Sequence, residues 1–238
     1  MIKSKLLTVA SIYLFFNVFA AISYAETIGI LSAMPAELEN LKSKITHQKV
    51  VSKGIIKGKI GSHTVYVTLS GIGKVNTAAM TQKLISEYQI NVLIFSGVAG
   101  GINPAFNVGD VVFVSQAFQH DFGYLGERFT MHAVGTVPEI GIGTGDESVY
   151  FDLDKFWSKE LLVKMKKNAA QFAELFTPVQ VDGKDYLPAL KFDGIVATGD
   201  QFLANDVKKQ SLLDQKADIV EMEGAAVAQI AQKNKIPA

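Results

Sequence analysis

The chain has 238 residues, 48% of them hydrophobic and 19% charged, which is enough apolar material for one globular α/β domain with a sizeable core. Its 23 basic and 23 acidic residues cancel, excluding the global positive field that holds nucleic acid or an anionic membrane surface, so a small-molecule partner is expected. There is no cysteine, which removes both a disulfide framework and a thiol nucleophile.

The chain opens with Lys3 and Lys5, an apolar run from Leu6 to Ile22 broken only by Thr8, Ser11 and Asn17, and then Ser23-Tyr24-Ala25. This is the layout of a secretory signal over 1–25 with a small-x-small cleavage site after Ala25, and it predicts an exported protein, periplasmic or secreted. The other reading is an uncleaved membrane anchor, for which the run is short and interrupted.

Residues 26–238 then read as one domain. Thr27 to Ala33 suits a buried strand, and Pro35 takes the favoured first position of a helix through Leu41. Ile55 to Ile60 and Thr64 to Leu69 predict a hairpin about Gly61-Ser62, and Ser70-Gly71-Ile72-Gly73 leads into a helix from Lys74 to Tyr88. Val92 to Ser96 is a further buried strand, ending in a glycine-rich turn over 97–101. Strands are expected at 110–118 and 194–198, and helices at 158–176, at 205–214 and from Gly224. Such alternation implies a mostly parallel sheet with ligands at the carboxyl ends of its strands. The segment from Asp121 to Asp154 is glycine-rich and aromatic with little periodicity, and reads either as a substrate- or subunit-facing excursion or as a surface insertion.

Four segments stand at predicted strand ends: SAMPAE (32–37), SGVAGG (96–101), TGDQFL (198–203) and VEMEG (220–224). Taken singly they have ordinary explanations, such as a first-turn acid at Glu37, a tight turn at 97–101 and a core residue at Phe202. Sharing one sheet edge, they would set Glu37, Glu221 and Glu223 around a pocket floored by glycine backbone and walled by Met34, Phe202 and Met222. A buried, unpaired carboxylate at the end of a strand is costly without a partner or a task.

Other chemistries are less well served. SGIGKVN (70–76) has Thr68 where the first glycine of a phosphate-binding loop belongs and Val75 where its hydroxyl residue belongs. Gly-Ile-Gly-Thr-Gly at 141–145 lacks the spacing of a dinucleotide fingerprint. His47, His63, His120 and His132 show no metal-ligand spacing, and His120-Asp121 reads as a loop-anchoring pair. Among 23 basic residues Arg128 is the only arginine, the side chain best suited to bidentate phosphate recognition.

Together, IGILSAMPAELENL (28–41), LSGIGKVNTAA (69–79), SGVAGGI (96–102), VGDVV (108–112), ATGDQFL (197–203) and VEMEGAAVAQIA (220–231) resemble the nucleoside phosphorylase superfamily, and within it the 5′-methylthioadenosine/S-adenosylhomocysteine nucleosidases. The resemblance implies a three-layer α/β/α sandwich about a mixed central sheet, a homodimer, a purine nucleoside substrate, and neither metal nor organic cofactor. It implies that Glu37 activates the attacking water and that Glu223 holds the ribose hydroxyls. Phe202 would stack on the purine beside Leu203, Ala99 and Gly100. Met34 and Met222 would face the ribose, with Glu221 beside the base and Val220 next to it. Val98 departs from the pattern, standing where many such enzymes carry a hydroxyl residue near the water.

The resemblance also places the acid that protonates the leaving purine on a strand after the VEME helix. The sequence given stops at Ile236-Pro237-Ala238, so a missing C-terminal strand and helix and impaired activity are expected. Two further functions stay open: a phosphorylase, in which phosphate replaces water, and a non-catalytic secreted storage or binding relative.

Overall fold

A computed structural model describes residues 25–172 and 176–238; the secretory-signal reading of 1–25 falls, save Ala25, outside the described residues. The first sheet is built on β1 (Thr27–Ser32), whose Ile28, Ile30 and Leu31 are fully buried. A strand covered on both faces is apolar without alternation, as a central parallel strand must be. It pairs in parallel with β4 (His63–Leu69) on one side and β5 (Val92–Phe95) on the other. The antiparallel strands β2 (Thr46–Ser52) and β3 (Ile55–Ile60) complete the order β2-β3-β4-β1-β5.

Helix α1 (Pro35–Lys42) packs Leu38 and Leu41 on one face of this sheet against Ile28, Ile30 and Val65. Helix α2 (Lys74–Tyr88) packs Leu84 on the other, against Leu31 and Leu93. Gly29 makes that approach feasible, because a Cβ there would stand 3.1–3.2 Å from Ile90, Leu93 and Leu84.

The second sheet has parallel strands β7 (Val111–Gln119), β13 (Leu190–Thr198) and β14 (Ile219–Glu221), flanked by the antiparallel strands β10 (Tyr150–Asp152) and β6 (Gly100–Gly101). Its order is β10-β7-β13-β14-β6. Helix α4 (Asp206–Asp214) covers one face through Leu212, against Phe118, Ala197 and Val220. Helix α5 (Gly224–Asn234) serves both sheets. Its Ala225 and Ala228 meet Ala117 and Val196 of the second, while Val227 and Ala231 meet Leu31 and Leu93 of the first. Small side chains allow one helix to lie close to two sheets.

The expected α/β layers and mixed strand directions are present, with the strands hydrogen-bonded as two five-stranded sheets. Several details differ from the sequence expectations. β2 was not anticipated, because an edge strand with five exposed positions carries no apolar signal. Helix α3 is described over Lys159–Phe172, and the rest of the helix expected to 176 falls, save Phe176, outside the described residues. The 121–154 excursion contains the hairpin β8 (Gly123–Leu125) and β9 (Phe129–Met131), a 3₁₀ turn at 138–140, and β10. A second small hairpin, β11 (Val179–Val181) with β12 (Lys184–Tyr186), follows α3. After α5, Ile236 and Ala238 pack on the first core, Leu93 N–H donates to the Pro237 carbonyl at 2.9 Å, and Trp157 Nε1–H donates to the Ala238 carbonyl at 3.1 Å.

Candidate active site

The strand ends meet as the alternation of strands and helices requires. Ser32 at the end of β1 aligns with Leu69 of β4, and Leu31 with Phe95 of β5. Their exits are sewn together: Ser32 Oγ donates to the Ser96 carbonyl at 2.6 Å, and Ser70 N–H to the Ser32 carbonyl at 2.9 Å. In the second sheet Thr198 of β13 pairs with Glu221 of β14, and Gly199 N–H donates to the Glu221 carbonyl at 3.1 Å.

Glu37 lies in the first turn of α1, where the helix dipole favours an acid. Its Oε2 accepts the Met34 N–H at 2.8 Å and its Oε1 accepts the Val98 N–H at 3.1 Å. The second bond ties α1 to the SGVAGG turn. Gly97 leaves room for it, since a Cβ there would stand 3.2 Å from Glu37 Oε1. Glu37 is therefore held between two amides from two strand ends, with its free lone pairs available to a third donor such as water.

Glu223 stands at the N-cap position of α5 and is 6% exposed. Its Oε1 accepts the Gly73 N–H at 2.7 Å, which joins the second sheet to the turn before α2. Burial pushes its carboxyl group above the usual range, opposed by the Gly73 N–H and reinforced by the charges of Glu37 and Asp200. Glu37 and Glu223 thus feel each other across the site.

Glu221 has a different environment. Its Oε2 accepts the N–H groups of Glu223 and Gly224, both at 2.6 Å, and its Oε1 accepts the Thr198 hydroxyl. Thr198 Oγ1 in turn accepts the Ala225 N–H at 2.8 Å. Three of the unpaired amides at the start of α5 are satisfied in this way. Desolvation pushes the Glu221 carboxyl up to about 7 against the Thr198 hydroxyl and the Gly224 and Glu223 amides. Glu221 therefore shapes the turn that presents Glu223.

Met34, Leu203 and Met222 are half-buried around this region, and Val220 is buried beneath it. Val98, Ala99 and Gly100 are exposed along the SGVAGG turn. Phe202 is 91% exposed and Val98 66%, and Ile72 and Val75 add further exposed apolar surface from the 70–75 segment. The carboxylates of Glu37 and Glu223 are thus each preceded in the chain by a half-buried methionine, and valine and phenylalanine are exposed at 98 and 202, residue types that suit a neutral, partly aromatic small molecule. Among the described residues no group of three or more His, Cys, Asp or Glu side chains could hold a metal ion.

Lys74 has a part in the site framework that its sequence context does not signal, while His120 takes the structural role expected of it. Lys74, read in the sequence only as part of a failed phosphate loop, places its Nζ 2.5 Å from Asp121 Oδ1 and its N–H 2.8 Å from Asp200 Oδ1. No local pattern signals these bonds, which span 47 and 126 positions of sequence. His120, next to Asp121, is 1% exposed beneath Gly199, where a Cβ would fall 2.3 Å from its Nε2.

Comparison with known proteins gives a consistent picture. Residues 27–238 match the family model described as the phosphorylase superfamily. A 5′-methylthioadenosine/S-adenosylhomocysteine nucleosidase of Mycobacterium bovis is 32% identical over 218 residues, covering 90% of this chain and 82% of that protein. The nucleosidase of the same name from Bacillus thuringiensis is 29% identical over 215 residues, covering 88% and 81%. Among solved structures, the Neisseria meningitidis nucleosidase in complex with methylthio-immucillin-A superposes with a TM-score of 0.67 at 26% identity, covering 89% of this chain and 82% of that one. A futalosine hydrolase mutant of Helicobacter pylori superposes with a TM-score of 0.66 at 27% identity, covering 90% and 88%.

Proposed function

The chain belongs to the phosphorylase superfamily, and from that membership we propose that it hydrolyses the N-glycosidic bond of a purine nucleoside of the methylthioadenosine or S-adenosylhomocysteine type. The products are adenine and the corresponding thioribose. The observation that carries the reading is the meeting of Glu37 and Glu223 at adjoining strand ends, each anchored by backbone amides. The names of the relatives support the same substrate class.

The reaction breaks the bond between ribose C1′ and the purine nitrogen through an oxocarbenium-like sugar. Glu37 orients a water on C1′ and takes its proton as the C–O bond forms. Glu223 accepts hydrogen bonds from the ribose hydroxyls, and these strengthen as the ring gains positive charge. The bonding pair of the broken bond leaves with the purine, which takes up a proton. Phe202 and Leu203 provide the base-side wall, Met34 and Met222 the ribose side, and the backbone of 98–100 the floor between them. Water rather than phosphate is the nucleophile in this reading, because a carboxylate at the position of Glu37 repels an anion. The only arginine, Arg128, belongs to the turn between β8 and β9.

Export and assembly belong to the same proposal. The leader over 1–25 directs the protein out of the cytoplasm and is cleaved after Ala25. A second copy of the chain covers the exposed apolar side chains Phe202, Val98, Ile72 and Val75, in keeping with the homodimer that the family resemblance implies. The test is adenine release from 5′-methylthioadenosine with phosphate omitted. Phosphate-dependent release selects a phosphorylase, and nucleoside binding without release selects a storage or binding protein.

A further inference from the structure

Two consecutive amides at the start of α2 are aimed at carboxylates from two different strand ends. Gly73 N–H donates to Glu223 Oε1 at 2.7 Å, and Lys74 N–H donates to Asp200 Oδ1 at 2.8 Å. Gly73 has φ +95°, and a Cβ there would stand 3.0 Å from Asp200 Oδ1, so this turn requires glycine.

The side chain of Lys74 closes a ring on the same partners. Its Nζ donates to Asp121 Oδ1 at 2.5 Å and to Gln119 Oε1 at 3.1 Å, while Asp121 Oδ2 accepts the Asp200 N–H at 2.9 Å. Gln119 Nε2 then donates to Gln229 Oε1 of α5 at 2.9 Å. The Lys74 and Asp121 side chains are 16% and 18% exposed, so solvent screens the pair less than it would a surface pair. Burial works to raise the Asp121 carboxyl, but the Lys74 bond and the Asp200 amide outweigh it and hold the group below its ordinary value.

We infer that Lys74 and Asp121 are positioning residues that lock the ribose-side carboxylate Glu223 and the base-side loop 198–203 into one register. The inference rests on the nucleosidase reading for what the two sides bind. Its geometric basis is independent: one lysine and one aspartate connect the ends of β7 and β13, the start of α2 and, through Gln119, helix α5. An ordinary ion pair between neighbouring loops would account for the Lys74–Asp121 contact alone. It would not account for Asp121 also holding the Asp200 amide, or for Asp200 and Glu223 sharing adjacent amides of one turn. A nucleoside spans both sides of such a clasp, and a misplacement of about 1 Å between reacting groups costs up to ~10²-fold in rate.

The test uses Asp121→Asn, which keeps size but leaves one side-chain oxygen for two donors, and the double variant Lys74→Met/Asp121→Asn, which removes both charges. Hydrogen exchange in the ligand-free protein reads the clasp without reference to activity. Peptides covering 70–77 and 198–203 are expected to lose protection together, by ~10-fold or more, although they lie far apart in sequence. In the kinetic arm, kcat/KM for 5′-methylthioadenosine is expected to fall ~10-fold or more after correction for the folded fraction. Inhibition by free adenine, which needs only the base-side wall, changes less than ~3-fold on the same argument.

A merely stabilising pair gives another pattern: kcat falls with the folded fraction seen by circular dichroism, and KM stays put. That pattern overturns the inference, as does exchange that quickens in only one of the two peptides or in neither. Absence of hydrolysis by the parent protein counts against the nucleosidase reading alone, because the exchange experiment still judges the clasp.

Discussion

Glu221 offers a sharp test of how the VEMEG turn is built. Its carboxyl group titrates at about 7 in the folded protein against an ordinary value of 4.5, because desolvation outweighs the three donors that face it. Between those two values the folded state holds a proton that the unfolded chain releases, so raising the pH favours unfolding. The stabilising contribution is complete below 4.5 and is lost as the pH climbs through 7. At about 1.36 kcal/mol per pKa unit the full loss is about 3 kcal/mol. Glu221→Gln keeps an oxygen for the Glu223 and Gly224 amides and an amide group for Thr198 Oγ1, but cannot ionise. The assay is urea unfolding from pH 4.5 to 8.5 at fixed protein concentration, comparing the variant with its parent. The parent should lose about 3 kcal/mol more than Glu221→Gln across that range. Parallel pH profiles for the two proteins would refute the claim that this carboxylate is ionised at a cost within the turn.

Glu37→Gln preserves shape but removes the base, so kcat for adenine release should fall at least ~10²-fold with a smaller change in KM, read by steady-state kinetics. Glu223→Gln should lower kcat as well, since its hydroxyl contact tightens in the transition state; unchanged kinetics in both variants would move the active site elsewhere. Phe202→Ala removes the aromatic wall and should raise KM and weaken adenine inhibition, read by steady-state kinetics with free adenine as competitor. Gly199→Ala drives a methyl group to 2.3 Å from His120 Nε2 and should cost about 1–3 kcal/mol of stability by urea unfolding. Mass spectrometry of the exported protein should show Glu26 at the N-terminus, and a product that retains residues 1–25 contradicts the leader assignment.

What could be read from the sequence follows from the range of the physical signal. β1, β5 and the end of β13 are legible because buried parallel strands are apolar, β3 and β4 because Gly61-Ser62 turns between two strand-like runs, and α1 because Pro35 opens it. Glu37 and Glu223 stood out because acids at strand ends need a reason. The exposed strand β2 and the β8–β9 hairpin lie on the surface and leave no apolar alternation. The partners of the two glutamates were out of reach: the Gly73 amide lies 150 positions from Glu223, and the Val98 amide 61 from Glu37. Nor could the pattern tell that Glu221 caps the helix that follows it while Glu223 reaches across to the turn before α2.

The most direct test of the central claim is free-base detection from 5′-methylthioadenosine in phosphate-free buffer, run on the protein and on Glu37→Gln side by side. The account predicts adenine and methylthioribose in equal amounts, no stimulation by added phosphate, and a rate at least ~10²-fold lower in Glu37→Gln, whatever the absolute turnover. Release that requires phosphate, release that Glu37→Gln leaves unchanged, or no release at all would contradict it.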